Sequence, residues 1–417
     1  MTLPAATDTV VIGAGQAGLT MSALLADAGR DHVVLERRSR LGGGWQDRWN
    51  SFCLVTPAWT ASFPGFAYDG PDPDGYPPRD EVVDRLTAYA SRLGAPVSLE
   101  TEVRAVVPQP SGGFRVETSQ GDLSAASVVV ATGSFHVPRI PAIGTALPAD
   151  VFQLHTHEYR DAAELPPGGV LVVGSGQSGV QIAEELSVAG RPVVLSVGSA
   201  GRIPRRYRGS DVFRWLAGLA AEDPAIGVRL PSVDELPDRR LRSAGNPHLS
   251  GHDGGHDTNL RQFAADGMTL IGRIEAVQDG RLRLAGDLPE RLAAADRFFD
   301  ERFRELADAY IERAGIGAPP DDRVPVTFEP PVLEELDLRR AGIGTVLWAT
   351  GYGLDYGWVK APILDEYGFP RHQRGVTDIP GLYFLGLLWQ HNQASATLFG
   401  VSHDARHLAA QMGLRPS

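Results

Sequence analysis

The chain has 417 residues, 43% of them hydrophobic and 22% charged, which suits a globular protein of two or three domains and excludes a disordered or fibrous one. Its formal charge of −12 gives phosphate backbones and anionic membranes no general attraction, so neither nucleic acid nor membrane is expected as a partner. No basic leader precedes the first apolar run and no stretch approaches about 18 apolar residues, so a cytoplasmic protein is expected. The lone Cys53 agrees, and it excludes electron transfer through a cysteine pair.

The first predicted element is the apolar run TVVI at 9–12, followed by Gly13-Ala14-Gly15-Gln16-Ala17-Gly18, an apolar helical pattern, and Gly29 suited to a helix C-cap. The run VVLE at 33–36 completes a strand, helix, strand unit. The same form recurs at 170–190, VLVVGSGQSGVQIAEELSVAG, with VVLS following at 193–196. With 48 glycines in the chain, roughly 0.6 such glycine patterns arise by accident, so one match means little. Two in the same context imply a duplicated dinucleotide-binding turn. Gly13 and Gly174 permit the tight turn, Gly15 and Gly176 admit a pyrophosphate to the backbone amides, and Gly18 and Gly179 let helix pack on strand. Gln177 and Ser178, which open the second helix, join the cofactor-binding set.

The two copies differ after the helix. Glu36 ends the first unit and offers an acceptor for ribose hydroxyls, as FAD or NAD requires. The aligned residue of the second unit is Ser196, which does not repel a 2′-phosphate. Downstream, GRIPRRYRG places Arg202, Arg205, Arg206 and Arg208 as candidate phosphate donors, the alternative being a solvated basic loop.

Two further apolar strands end alike, SVVVATG with Ala131-Thr132-Gly133 and TVLWATG with Ala349-Thr350-Gly351, at points where the chain can cross between nucleotide domains. The proline-rich stretches at 138–148 and 316–325 read as linkers. This gives a first domain at 1–150 plus 325–417, with a second at 151–324 inserted. Within the insert, residues 248–257 carry His248, His252, Asp253, His256 and Asp257. Their composition suggests metal, but interleaved glycines disfavour the helix that such spacing needs, so a polar loop is expected and no metal. Residues 269–285 predict a strand and a hairpin turned at Asp279-Gly280. A helix over 289–314 is predicted to bury Leu292, Ala295, Phe299, Phe303, Leu306 and Tyr310. After the strand GLYFLGL at 381–387, a loop and helix begin at 389. There Asn392 and Gln393 are candidate donors to cofactor or substrate, and His391 a candidate for proton transfer, though an isolated histidine is more often structural.

These motifs, with Gly42-Gly43-Gly44-Trp45 and ATGSFHVPRIPAIG, resemble the class B flavin-dependent monooxygenases, over most of the chain. The resemblance implies an α/β protein of two Rossmann-like dinucleotide domains, arranged as in glutathione-reductase-like flavoproteins. FAD sits in the first domain (1–150 and 325–417) and NADPH in the inserted one (151–324). It places Gly43, Trp45, Thr132, Gly133 and Gly351 near the cofactors, with Trp49 and Phe52 also walling the flavin unless they are plain core aromatics. The family's interdomain motif appears as Phe152, His155, Thr156 and Tyr159 with shortened spacing, which disfavours a Baeyer-Villiger reaction. His155 is a catalytic candidate there, with a structural hydrogen bond the preferred role. Val55-Thr56 stands where animal-type members carry an Asn, which disfavours simple amine or sulfide oxygenation.

The implied reaction is NADPH-dependent insertion of one atom of molecular oxygen, through a hydroperoxyflavin, into a small organic substrate that the sequence does not name. The alternative is an NADPH oxidase or flavin reductase that passes electrons to oxygen or a partner without oxygenation. A nucleotide-sensing regulator is a third, non-enzymatic reading, and the intact glycine turns weigh against it. Oligomeric state is not legible.

Overall fold

The structure is a computed structural model that describes residues 3–415 apart from Gly245. In chain order the first unit runs β1 (Ala6–Ile12), α1 (Gln16–Asp27), β2 (His32–Leu35), α2 (Arg79–Leu93), β3 (Val97–Ser98), β4 (Val103–Pro108), β5 (Phe114–Thr118) and β6 (Leu123–Val130), then β7 (Val137–Pro138). The second runs β8 (Phe152–His155), β9 (Gly169–Val173), α3 (Gln177–Val188), β10 (Val193–Ser196), the ribbon β11 (Arg206–Tyr207) and β12 (Ser210–Asp211), α4 (Val212–Ala220) and α5 (Leu260–Ala265). It continues with β13 (Thr269–Ile271), β14 (Ile274–Gln278), β15 (Arg281–Leu284), α6 (Leu288–Phe299), α7 (Glu305–Arg313), β16 (Glu335–Asp337) and β17 (Ile343–Trp348). The chain closes with β18 (Tyr352–Gly353), β19 (Leu382–Phe384) and α8 (Val401–Gln411).

Two sheets organise the molecule: β3-β2-β1-β6-β5-β4, with β19 also on β6, and β13-β10-β9-β17-β8. Their central strands pair in parallel and are buried on both faces, which is why they read as unbroken apolar runs; Val10, Val11, Val170 and Val172 are all 0% exposed. Gly29 and Gly190 adopt the left-handed conformation just past α1 and α3, the helix stop that glycine supplies.

The boundary expected at residue 325 lies later. Ile343–Trp348 pairs with β9 and β8, so this strand belongs to the second sheet, where its apolar side chains complete a core with Leu171 and Val194. The return falls at Tyr352–Gly353, which pairs antiparallel with Val137–Pro138. The two Ala-Thr-Gly exits therefore meet in one ribbon between the sheets. Residues 316–325, expected as a linker, instead run over the second unit, where the Pro319 carbonyl accepts from Arg208.

The hairpin at Asp279-Gly280 forms with both residues at positive φ, +50° and +76°, the twist that two-residue hairpins favour. The helix predicted over 289–314 is continuous but contains a π-turn at Asp300–Arg304. That extra residue per turn rotates the apolar face. Leu292, Ala295, Phe299 and Phe303 are buried as expected, while Ala307 and Ile311 take the core places expected of Leu306 and Tyr310, which are half-buried.

Candidate nucleotide sites and the loops between them

The first turn is built by steric exclusion. Gly13 has φ +105°, and a Cβ there would stand 2.6 Å from the Ala131 carbonyl; one on Gly18 would stand 1.8 Å from the Gly13 carbonyl. Gly15, by contrast, faces space, with Gly43 Cα the nearest atom at 3.9 Å. Gly15 is also the N-cap of α1 and has no side chain to satisfy the helix's first N–H groups. A cradle open to a phosphate results. Behind it Glu36, 5% exposed, accepts from the Ala14 N–H at 2.9 Å through Oε2 and from the Arg38 N–H at 3.0 Å through Oε1. Each carboxylate oxygen retains a lone pair for a ribose hydroxyl.

Gln16 ties the cradle to its walls: Trp45 Nε1 donates to its side-chain oxygen at 2.7 Å, and its amide donates to the Ala396 carbonyl at 3.1 Å. Trp45 sits tilted near Phe52, which meets the buried Trp49 edge-on. The Arg38–Asp47 ion pair braces the segment carrying Gly43 and Trp45. At the exit of β6, Tyr356 donates to the Gly133 carbonyl at 3.1 Å, and Thr132 Oγ1 lies 3.3 Å from His136 Nε2.

The second turn repeats this exclusion almost atom for atom. Gly174 has φ +104° with a Cβ 2.6 Å from the Ala349 carbonyl, a Cβ on Gly179 would lie 2.0 Å from the Gly174 carbonyl, and Gly176 meets nothing within 4 Å. Gly176 caps α3 without a side-chain bond, so Gln177 and Ser178 again open with free amides. The shared residues thus fit a dinucleotide at both turns: each has a gap that only glycine leaves and donors without a partner in the helix. Ser196, at the place of Glu36, is buried and donates to the Gly272 carbonyl at 3.0 Å.

Two of the arginines expected to read a 2′-phosphate are otherwise engaged. Arg205 is 2% exposed, pairs with Asp211 at 3.0 Å, donates to the Ser250 carbonyl and lies over the Tyr76 ring at 4.5 Å. Arg202 pairs with Asp296 at 3.3 Å and Asp257 at 3.7 Å. Arg206 is exposed on its ribbon. None of the three borders the cavity at the end of β9 and β10, whose lining includes Gly174, Ser196, Ser199, Trp348, Arg273 and Arg291.

His155 is a tie between elements. Its Nδ1 accepts from the His157 N–H at 3.1 Å, so Nε2 carries the proton that reaches the Gly351 carbonyl at 3.0 Å. Burial lowers its pKa and keeps the ring neutral. The same carbonyl accepts from the Arg139 N–H at 3.0 Å, so His155 helps fix the crossing ribbon. The buried Tyr159 donates to Glu185 at 2.8 Å, and Glu185 also accepts from Ser51, joining this motif to the first unit.

His391 and Asn392 converge on a residue with no sequence signal, Glu222. Its Oε1 accepts from His391 Nε2 at 2.6 Å and from Asn392 Nδ2 at 3.3 Å, and its backbone holds φ +52°, a strained value for a non-glycine. Asn392 Oδ1 accepts from the Ala394 N–H at 2.9 Å, so the amide expected to point at cofactor or substrate is bonded at both ends within the protein. Arg374 bridges Glu222 to Asp404, which burial pushes above the usual carboxylate range.

The histidine-rich loop keys into its surroundings residue by residue. His256 Nε2 meets Glu184 at 2.7 Å, a bond that raises its pKa; His252 Nδ1 lies 3.9 Å from Cys53 Sγ; His248 is fully buried without a partner, and burial drops its pKa to about 4. Among the described residues no group of three His, Cys, Asp or Glu side chains is arranged to hold a metal. Nor is any described helix long and apolar enough to cross a membrane.

A mixed sheet and an all-parallel sheet, each carrying an open glycine turn and joined by a ribbon between their exits, give the α/β architecture of an oxidoreductase. The sequence profile of the pyridine nucleotide-disulphide oxidoreductase family matches residues 10–219, and the chain belongs to that family. It is 34% identical over 403 residues to an uncharacterized CzcO-like oxidoreductase of Geobacillus kaustophilus (strain HTA426), across 96% of this chain and 97% of the relative. It is 29% identical over 321 residues to the indole-3-pyruvate monooxygenase YUCCA1 of Oryza sativa subsp. japonica, across 73% and 76% of the two chains. A mutant form of a flavin monooxygenase from Stenotrophomonas maltophilia shares the fold, with TM-score 0.62 and 21% identity over 99% and 98% of the chains.

Proposed function

We propose that this oxidoreductase is an NADPH-dependent FAD monooxygenase that inserts one atom of molecular oxygen into a small organic substrate. The observation that carries the reading is the pair of open, uncapped glycine turns with opposite residues at the ribose position, buried Glu36 and Ser196. FAD resides at the first turn, held by the α1 amides, by Glu36 and by the segment from Gly43 to Trp45; NADPH visits the second, held by the α3 amides. Electron transfer through a cysteine pair is excluded, because Cys53 is the sole cysteine of the sequence.

When bound, the flavin supplies the oxygen chemistry and the nicotinamide the hydride. The protein's part is to bind, orient and exclude water. Trp49, Phe52 and Leu54, all under 8% exposed, form an apolar core behind Trp45, which would keep water from the first site on that side. Glu222 accepts the His391 proton and fixes the ring, so His391 and Asn392 act together to hold the loop ahead of α8. His155 positions the ribbon that joins the exits of the two sheets.

The test is NADPH oxidation by the purified holoenzyme against a panel of small organic compounds, with product mass and hydrogen peroxide measured together. The proposal expects at least one compound to gain a single oxygen atom with little peroxide. NADPH consumption that yields only peroxide across the panel assigns the protein to the oxidases instead.

A further inference from the structure

On the proposed reading the first unit holds a ribose through Glu36, just past its second strand; the second unit leaves that position to Ser196, whose hydroxyl is already spent on the Gly272 carbonyl. That bond brings the neighbouring strand into the site. β13 pairs with β10 so that Ser196 stands beside Ile271, and the next residues are Gly272 and Arg273. The close approach needs glycine, since a Cβ on Gly272 would stand 2.4 Å from the Ala285 carbonyl and 2.6 Å from Asp287 Oδ1.

At this corner lies a cavity of about 290 Å³, at the low end of the size of small-ligand pockets. Pro141, Ile143 and Trp348 give it an apolar side, and Ser199, Arg273 and Arg291 a polar one, with no acidic residue in its lining. The Arg273 backbone is fixed by Asp287 Oδ1 at 3.0 Å, yet its guanidinium is largely in solvent and only 3.7 Å from its nearest carboxylate, Glu275. Arg291 is anchored through Nε and Nη2 to Asp287 Oδ2, both at 2.7 Å. Asp287 thus holds both residues at this corner, Arg273 through its backbone and Arg291 through its side chain, and the exposed Arg273 guanidinium has only the long Glu275 contact to give up.

Resting on the reading of the second turn as an NADPH site, we infer that Arg273 and Arg291, not the arginines of 202–206, bind the 2′-phosphate and set the preference for NADPH over NADH. An arginine fork matches a phosphate's oxygens, and the apolar side suits the face of an adenine ring.

The test is calorimetric titration of the flavin-loaded protein with two probes, 2′,5′-ADP and 5′-AMP, which differ only by the 2′-phosphate. Wild type is expected to bind 2′,5′-ADP at least about tenfold tighter. Arg273→Ala should lose about tenfold for 2′,5′-ADP with little change for 5′-AMP, Arg291→Gln should lose part of the same preference, and Arg206→Ala should change neither. Equal affinities in wild type overturn the inference while leaving a nucleotide site in place, as does an undiminished preference in both Arg273→Ala and Arg291→Gln. Failure of both probes to bind overturns the inference together with the NADPH site.

Discussion

At the first turn a Cβ on Gly13 would meet the Ala131 carbonyl, and at the second one on Gly174 would meet that of Ala349, each at 2.6 Å, and the two φ values lie one degree apart. Both third glycines close on the first glycine's carbonyl, and both second glycines face open space. The backbones are copies; the surroundings are not. The first turn is backed by Glu36, whose carboxylate is locked onto the turn's own amide, while the second is backed by a serine tied to the next strand and by two arginines beyond it. A duplicated local sequence reproduces the same open turn; on the proposed reading, which nucleotide enters is decided by one strand-end residue and by what the neighbouring strand brings to it.

The comparison breaks most severely at its shared points. Gly18→Val places side-chain atoms inside the Gly13 carbonyl and should cost several kcal/mol, leaving a colourless or insoluble protein; retention of wild-type flavin absorbance and melting temperature would contradict the packing described. A pH effect follows from a buried histidine of the second unit. His248 is buried with its pKa lowered to about 4, so the folded state resists its protonation. Its contribution to stability is complete above the ordinary value of 6.5 and is lost as pH falls from there towards about 4, by up to about 3 kcal/mol. Urea titrations of wild type and His248→Leu should show the acid-side slope reduced in the variant.

Smaller effects sharpen the contrast. Glu36→Gln keeps the side chain's size but loses its charge and turns one acceptor into a donor facing backbone N–H groups. FAD affinity should fall about ten- to a hundredfold by equilibrium dialysis, with 5′-AMP binding at the second turn unchanged. His155→Ala should lower melting temperature by an amount equivalent to about 1–2 kcal/mol and reduce flavin retention alongside activity, as a positioning role requires. Activity loss with unchanged flavin content and stability would make it a catalytic residue. The smallest effect is at His256, a third exposed, whose pKa Glu184 raises. This pair stabilises fully below pH 6.5 and fades as pH rises through the folded-state value, by under about 1 kcal/mol, and Glu184→Gln should remove that dependence.

What could be read from the sequence was local. The two glycine turns, the hairpin at Asp279-Gly280 and the C-terminal glycines of α1 and α3 each need a backbone conformation that few residues adopt, so residue type reports structure directly. The π-turn at 300–304 has no such marker, and it displaced Leu306 and Tyr310 from the core. TVLWATG was legible as a strand, but its sheet depends on pairing with β8 and β9, residues nearly 200 positions earlier. The arginine run was conspicuous because it is dense, yet Asp211, Asp257 and Asp296 claim its charges; Arg273 is isolated in sequence and was passed over, although its place after a short strand beside β10 was a usable signal. Glu222 had none, for only the fold brings it to His391.

The central claim is that twin cradles hold different dinucleotides, one resident and one visiting. Anaerobic spectrophotometry of the purified protein tests it most directly. The account predicts a yellow protein that releases FAD on denaturation and is bleached on adding NADPH, much faster than with NADH. A protein that stays colourless after incubation with FAD, or whose colour NADPH leaves untouched, would contradict it.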